Sequence, residues 1–248
     1  MIWTTGNTAK LYSLQRIAAH AETTPEPIWI IDLGCGEGRN FIELMRCFPH
    51  VYYVGVEPSA EGCAAARAHL PSERAFIVQG YAYEAIRPQL PQERYDFVTS
   101  FSVLEHVYRR ADYLRFAASC LKPQGRILLN YDAGHFVRPS SLRERLKNVL
   151  GPVLAKLGDE SRYQAFVHEQ DVRRWISEAG LVVVESAMFN TALKGVYKTL
   201  PEAHRAEFMQ RWLDVELWLN QVGLEYHDGL ASTWFTRYFE LALASASG

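Results

Sequence analysis

The stretch that most constrains this chain is Ile28-Trp29-Ile30-Ile31 running directly into Asp32-Leu33-Gly34-Cys35-Gly36-Glu37-Gly38. A short, almost wholly apolar run bounded by Pro27 and by glycines reads as a strand buried on both faces, as in a parallel sheet. Glycines are needed where backbone must turn tightly and come close to a ligand. A helix expected over about Asn40 to Phe48 would present free N–H groups behind them. The spacing is GxGxG. A dinucleotide fingerprint needs a third small residue at position 39, and Arg39 stands there. The loop therefore suits a nucleoside-like ligand and fits a pyrophosphate poorly.

The rest of the chain repeats this alternation. Asn7 to Ala21 has helical spacing, with Leu11, Leu14, Ile17 and Ala18 on one face. Val51 to Val56 is a second strand, Ser59 can cap a helix reaching about Leu70, and Phe76 to Val78 is a third strand. Phe97 to Phe101 is a fourth. Leu104, Val107, Ala111, Leu114, Ala118 and Leu121 read as one face of a following helix, stopped by Pro123 and Gly125. Arg126 to Leu129 is a fifth strand. Asp171 is expected to cap a helix ending at Gly180, Leu181 to Glu185 is a sixth strand, and Thr233 to Leu241 a seventh. Alternating strands and helices predict an α/β fold with a parallel sheet covered on both faces. Two long connections, about 131–170 and 187–230, remain. The second holds Phe208, Met209, Trp212, Leu213, Val215, Trp218 and Leu219, an apolar set expected in the core, over a pocket or at a dimer contact.

Glu57 ends the second strand roughly 20 residues after the glycine loop, the spacing of one crossover helix. An acid there can accept two hydrogen bonds from ribose hydroxyls. Loop and acid together are far more specific than either alone. Composition narrows the partners. The 248 residues hold 26 Lys+Arg against 28 Asp+Glu, which excludes a broad basic face and makes nucleic acid an unexpected partner. No run of 18 apolar residues is present to span a membrane, and Met1 to Lys10 has no basic-then-apolar leader. Cys35, Cys47, Cys63 and Cys120 form no CxxC pair and no metal spacing, so they read as reduced thiols of a cytoplasmic protein with no metal.

On these motifs the chain resembles the class I S-adenosylmethionine-dependent methyltransferases. The resemblance rests on Asp32 to Gly38, then Val54-Gly55-Val56-Glu57-Pro58-Ser59, Tyr95 to Ser100, Val103-Leu104-Glu105-His106-Val107, and Leu121 to Leu129. Order and spacing agree from about 28 to 130, roughly two thirds of a domain, and Trp175 to Leu181 matches more loosely. The Leu-Glu-His-Val piece resembles the large group acting on small molecules. The resemblance implies one Rossmann-like, three-layer domain over 1–248. Its seven-stranded sheet would be mostly parallel with the last strand antiparallel, and helical insertions at the two long connections would form a lid or acceptor-binding region. It implies S-adenosyl-L-methionine as cofactor, with S-adenosyl-L-homocysteine as product.

It also implies residue roles. Gly34, Gly36 and Gly38, with Cys35 and Asn40 beside them, would lie under the methionine and ribose. Asp32 would sit near the methionine amino end and Glu57 would take the ribose hydroxyls. Pro58, Gly80, Tyr81 and Ala82 would flank the adenine, and Ser100 and Phe101 would face the reactive end. Where the family often reads Gly-Asp-Ala after the third strand, this chain reads Gly80-Tyr81-Ala82. Tyr81 could accept from the adenine amine through its hydroxyl or pack its ring on the base. Cys35 reads as a small apolar filler.

His106, Tyr131 and His135 are the candidates for contact with the acceptor, since ligands gather at the carboxyl ends of strands. Each also reads as an ordinary polar group of a loop or core. The expected reaction is methyl transfer to a small-molecule acceptor, oxygen first and nitrogen next, in biosynthesis or secondary metabolism, by a monomer or homodimer. Two other classes stay open: a nicotinamide-dependent oxidoreductase, which Arg39 argues against, and a catalytically silent cofactor-binding regulatory module.

Overall fold

The computed structural model describes residues 6–133, 150–223 and 234–244. The expected strands β1 (Ile28–Leu33), β2 (Val51–Glu57), β3 (Ala75–Gln79), β4 (Tyr95–Phe101), β5 (Leu121–Asp132), β6 (Leu181–Phe189) and β7 (Thr236–Leu243) form one seven-stranded sheet. Its order is β3-β2-β1-β4-β5-β7-β6. The pairs among β1 to β5 are parallel, and β7 runs antiparallel to both β5 and β6. This is the Rossmann-like arrangement expected from the sequence, with the last strand inserted backwards. Thr233, expected to open β7, lies outside the described residues.

Helices cover both faces because the central strands are apolar on both sides. On one face α1 (Thr8–Thr23) and α2 (Ile42–Cys47) bury Leu11, Leu14, Ile17 and Leu44 against Ile28, Ile30 and Leu128. The other face is covered by α4 (Arg110–Ser119) and α5 (Glu169–Glu178), which bury Tyr113, Leu114, Val172 and Ile176 against Ile31, Val98 and Leu129. The helix α3 (Ala60–His69) joins β2 to β3. Asn7 caps α1 by accepting from Lys10 N at 3.0 Å, and Ser59 caps α3 by accepting from Gly62 N at 3.2 Å.

Three boundaries differ from expectation. Leu104 is not on the helix after β4; it belongs to a separate 3₁₀ turn, Leu104–His106, and α4 starts at Arg110. Leu121 opens β5, which runs on through Pro123 and Gly125. The β4–β5 register is irregular there, between Tyr95 and Phe97. A bulge tolerates a proline that has no N–H to give the ladder. Asp171 is not the cap of α5: the helix begins at Glu169, and Asp171 sits in its first turn, paired with Arg174 at 2.7 Å. Acids in a first turn favour the helix through its dipole without capping it.

The connection after β6 forms α6 (Lys194–Thr199) and α7 (Glu202–Gln221). Met209, Trp212 and Leu213 of α7 are buried in the same cluster as α1, so this apolar block packs on the sheet's face. Val215, Trp218 and Val222 face outward. Among the described residues no helix is long and apolar enough to cross a membrane.

Glu216 of α7 is fully buried and accepts from Asn190 N at 2.7 Å. Burial pushes its pKa up to about 7, opposed by the Thr8 hydroxyl and the Asn190 N–H nearby. The unfolded chain ionises such a group near ~4.3. The folded state therefore binds the extra proton between those values, and stability falls as pH rises through that window, by at most ~1.4 kcal/mol per pH unit. Melting followed from pH 4.5 to 7.5 should show this decline, and Glu216→Gln should make it shallower, leaving the part that the buried Asp32 and Glu105 contribute.

Candidate functional site

A cleft of about 250 Å³ opens at the carboxyl ends of β1, β2 and β4. The strand order reverses between β1 and β4 at this point, which is where open parallel sheets gather ligands. Gly34, Val56, Glu57 and Pro58 line it from β1 and β2, Gly80 to Tyr83 from the turn after β3, and Ser102, Val103 and His106 from the turn after β4. Glu160 and Ser161, from the connection between β5 and α5, complete it. Among the described residues no Lys or Arg lines the cleft, while Glu57 and Glu160 do. Such a lining repels a pyrophosphate and accepts a ligand that is neutral or cationic.

The glycine loop is tied down by β2. The Val56 carbonyl accepts from Gly34 N at 2.8 Å and Cys35 N at 3.0 Å. Glu57 then holds both sides of the cleft's edge: Oε2 accepts from Gly36 N and Oε1 from Ser59 N, each at 2.9 Å. A carboxylate offers about four acceptor positions, so room for a further pair of donors remains. Gly34 and Gly36 serve different ends. A Cβ on Gly34, whose φ is +88°, would lie 2.5 Å from Val103 Cγ2. A Cβ on Gly36, φ +53°, would meet nothing within 4 Å and would project into open space. Both stand in the left-handed region that favours glycine; the first is required by packing as well, the second is not. The helix behind the loop starts as a single 3₁₀ turn, Arg39–Phe41, before the six residues of α2, so it offers an anion little.

Asp32 is buried at the end of β1. Its carboxylate accepts from Thr99 Oγ1 at 2.8 Å and Tyr53 Oη at 2.9 Å. Burial lifts its pKa to about 6, against the pull of those two donors and of Lys10. Lys10 carries no signal of its own in the sequence. The path of α1 explains its place. Ser13 Oγ lies 3.5 Å from Asn130 Nδ2, and Arg16 pairs at 3.0 Å with Glu240, which sits opposite Leu128 on β5. The helix thus runs antiparallel to β5, and Lys10, one turn earlier, reaches the carboxyl edge of the sheet beside Asp32 and Glu105. Burial draws the Lys10 pKa down, opposed by those two acids.

Glu105, on the turn after β4, is buried, and one carboxylate oxygen has no partner. Burial raises its pKa to about 8. Ser102 has φ 59° and donates its N–H to Asn130 O at 2.8 Å. A non-glycine residue held in the left-handed region stores strain, which packing sustains at functional sites. Here it turns the chain out of β4 so that Ser102, Val103 and His106 border the cleft.

Of the residues expected at the site, Gly34, Glu57, Pro58, Gly80, Tyr81, Ala82 and His106 line the cleft. Asp32 lies behind it. Cys35 is buried with its thiol beneath the loop, and burial pushes the thiol pKa well up, as suits a filler. Gly38 turns the loop with φ +69°, and its missing Cβ makes way for Leu70. Asn40 sits half-buried in the 3₁₀ turn. Ser100 and Phe101 are buried rather than lining: Ser100 accepts from Tyr113 Oη at 2.7 Å, and Phe101 stacks on Phe41. The cleft is bordered by the two residues after them, because the turn comes after β4 has ended. Tyr131 is fully buried, packed against Phe239 with its hydroxyl sealed, and is not brought to the cleft. His135 lies outside the described residues. Lys10, Glu105, Glu160 and Ser161 were not expected there. Among the described residues no group of three or more His, Cys, Asp or Glu is gathered to hold a metal ion.

Comparison with known proteins identifies the family. A family model described as a methyltransferase domain matches residues 8–186, and the chain belongs to that family. The ubiquinone biosynthesis O-methyltransferase of Bradyrhizobium diazoefficiens is 32% identical over 101 residues, 41% of this chain and 38% of that protein. The protein of the same name from Rhodopseudomonas palustris strain BisA53 is 27% identical over 168 residues, 64% of this chain and 60% of that protein. The chain thus matches between 38% and 60% of the length of these relatives, less than two thirds of each. An O-methyltransferase from a polyketide synthase multienzyme of Brevibacillus brevis, solved with S-adenosyl-L-homocysteine, superposes with a TM-score of 0.54 at 15% identity, over 93% of this chain and 72% of that one. The family is that of the S-adenosyl-L-methionine-dependent methyltransferases, and membership in it argues against the nicotinamide alternative.

The two glycines separate packing from binding. Gly36→Ala should fold, with a loss of at most ~1–2 kcal/mol for a left-handed alanine, yet lose cofactor binding tenfold or more. Gly34→Ala should lower the melting temperature more than Gly36→Ala does. Thermal melts and calorimetric titration with S-adenosyl-L-homocysteine, run on both variants, check the pair.

Proposed function

We propose that this methyltransferase acts on an oxygen atom of a small metabolite, in a biosynthetic pathway in the cytoplasm, as a monomer or homodimer. The observation that carries the cofactor's placement is the arrangement of charge. Glu57 stands where ribose hydroxyls would donate. Asp32 and Lys10, set behind the cleft, lie on the side given to the ammonium and carboxylate of a methionine end, and among the described residues no Lys or Arg lines the cleft for a phosphate. Oxygen as acceptor rests on the names of the relatives, O-methyltransferases of ubiquinone biosynthesis.

In this reading Gly34 and Gly36 let the loop approach the cofactor, with Cys35, Gly38 and Asn40 shaping the loop from behind. Pro58, Gly80, Tyr81 and Ala82 border its adenine. Ser102 and Val103 border its reactive end, backed by Ser100 and Phe101. When bound, the cofactor supplies a methyl group on a sulfonium, whose departure leaves a neutral thioether, so no acid is needed to assist it. The protein's task is to align the acceptor and exclude water. The turn before α1 packs on the short helix α6, where the Tyr197 ring lies against Gly6, and this pair is placed on the acceptor side. Residues 159–161, ahead of α5, border the cofactor side.

His106 is the residue we place next to the acceptor hydroxyl. It borders the cleft, and its Nδ1 is 3.3 Å from Tyr163 O, which fixes the ring. As general base it would take the hydroxyl proton at Nε2. Tyr131 is not advanced for this role, since its hydroxyl is sealed in the core.

Two outcomes check the proposal. His106→Asn should lower labelled-methyl transfer to a phenolic or alcoholic acceptor by ~10²-fold or more, with S-adenosyl-L-homocysteine affinity changed less than ~3-fold. Equal turnover of the variant, or a panel in which only amines are methylated, would contradict it. Asp32 must be ionised to pair with the cofactor's ammonium, and its pKa is about 6 in the free protein. Cofactor affinity should therefore weaken as pH falls below that value, approaching ~10-fold per unit. Asp32→Asn should bind weakly with no such slope.

A further inference from the structure

The segment just before α5 does more than border the cleft. From 159 to 167 it is fastened along its whole path as a strap across the sheet's carboxyl edge. Glu160, 6% exposed, is its main anchor. Its Oε1 accepts from Tyr83 Oη at 2.6 Å and its Oε2 from Tyr108 N at 2.9 Å. Arg109 stands 4.0 Å from the same carboxylate, with its guanidinium 4.1 Å above the Tyr83 ring. Farther along, Ala165 N donates to Glu105 O at 3.0 Å, Arg110 donates to the Ala165 and Phe166 carbonyls at 3.0 Å, and Val167 N reaches Ala133 O at 3.4 Å.

The strap meets the cleft at Tyr81. That residue follows β3 in a turn, Gly80 to Tyr83, that contributes no carboxylate. The Tyr81 hydroxyl oxygen accepts from Glu160 N at 3.0 Å, and the hydroxyl donates to Asp159 Oδ1 at 3.4 Å. Asp159 Oδ1 is itself fixed by Ser161 N at 3.0 Å. The single Tyr81 proton is thus held on the strap side, and one oxygen lone pair is taken by the strap's N–H. What Tyr81 has left for the cleft is an acceptor.

We propose that the strap completes the base end of the cofactor site, by turning the Tyr81 hydroxyl into the hydrogen-bond acceptor that reads the exocyclic amine of adenine. The inference rests on the placement of the cofactor proposed above and deepens it. Tyr81 touches the base. Asp159 is a positioning residue, acting through the Tyr81 proton, and Glu160 holds the strap in place. Recognition of the base therefore depends on a segment roughly eighty residues away in sequence, and not on an acid within the turn after β3.

A site built to accept from an amine discriminates against a ligand lacking it. The test is calorimetric titration with S-adenosyl-L-homocysteine and with its analogue in which unsubstituted purine replaces adenine. Wild type, Tyr81→Phe and Asp159→Ala are compared, each first shown to melt cooperatively. Wild type should prefer the adenine ligand by ~10-fold or more. Tyr81→Phe keeps the ring and should reduce that preference to about 1–2-fold, while the purine analogue binds within ~3-fold of its wild-type affinity. Asp159→Ala, which frees the Tyr81 proton to turn toward the cleft, should show a reduced preference without loss of purine binding. Full preference retained in Tyr81→Phe, or wild type binding both ligands equally, overturns the proposal. Failure of folded wild type to bind S-adenosyl-L-homocysteine at all overturns the cofactor placement beneath it, a separate and distinguishable result.

Discussion

One carboxylate organises the cofactor end of this molecule. Glu57 ends β2 and takes the N–H groups of Gly36 and Ser59, so the glycine loop after β1 and the start of α3 are both fixed to the end of one strand. The Glu57 carbonyl also accepts from Gly80 N at 3.0 Å, which brings the turn after β3 to the same point. Three separate crossings of the sheet edge therefore meet at one residue. Charge-assisted hydrogen bonds of this kind are short and strong, and they orient the backbone groups that make them. The cleft has its shape because the loop is held there, and its sign because the holder is an acid.

The two ends of the cleft are built by different logic. At the Glu57 end, sheet topology alone brings the elements together, since β1, β2 and β3 are adjacent and parallel. At the other end, strain and burial do the work. Ser102 is forced into a left-handed conformation, Asp32 is buried, and Lys10 arrives on a helix that starts far away in the chain. Asp32 stays poised between its charged and neutral forms because burial opposes the donors around it. Such a group responds to the charge of what binds next to it, which a solvated carboxylate does not do.

Much of this was legible in the sequence because it is local. The apolar run before Asp32, the glycine spacing, Glu57 at the end of β2 and Ser59 as a cap are each set by a few neighbouring residues, and each stands where expected. The errors arise where the chain departs from a regular period. Leu104 and Leu121 fit a helical spacing, yet the turn at Ser102 and the bulge in β5 break the helix at both ends. Ser100 and Phe101 fall inside the sheet because the exact end of β4 decides which residues face the cleft. Lys10 and Glu160 gave no signal because their roles depend on long-range placement. One is carried in by the antiparallel course of α1, the other by a strap whose partners lie some fifty to eighty residues away. Tyr131 looked accessible at the end of β5, but its side chain points to the α5 face, where Phe239 covers it.

The measurement that tests the account most directly is calorimetric titration of S-adenosyl-L-methionine into wild type and Glu57→Ala, with melting recorded for both. The account predicts micromolar binding by wild type and loss of at least ~30-fold in the variant, through the ribose contacts and the released glycine loop together. Binding of equal strength in the folded variant, or none in folded wild type, would contradict it.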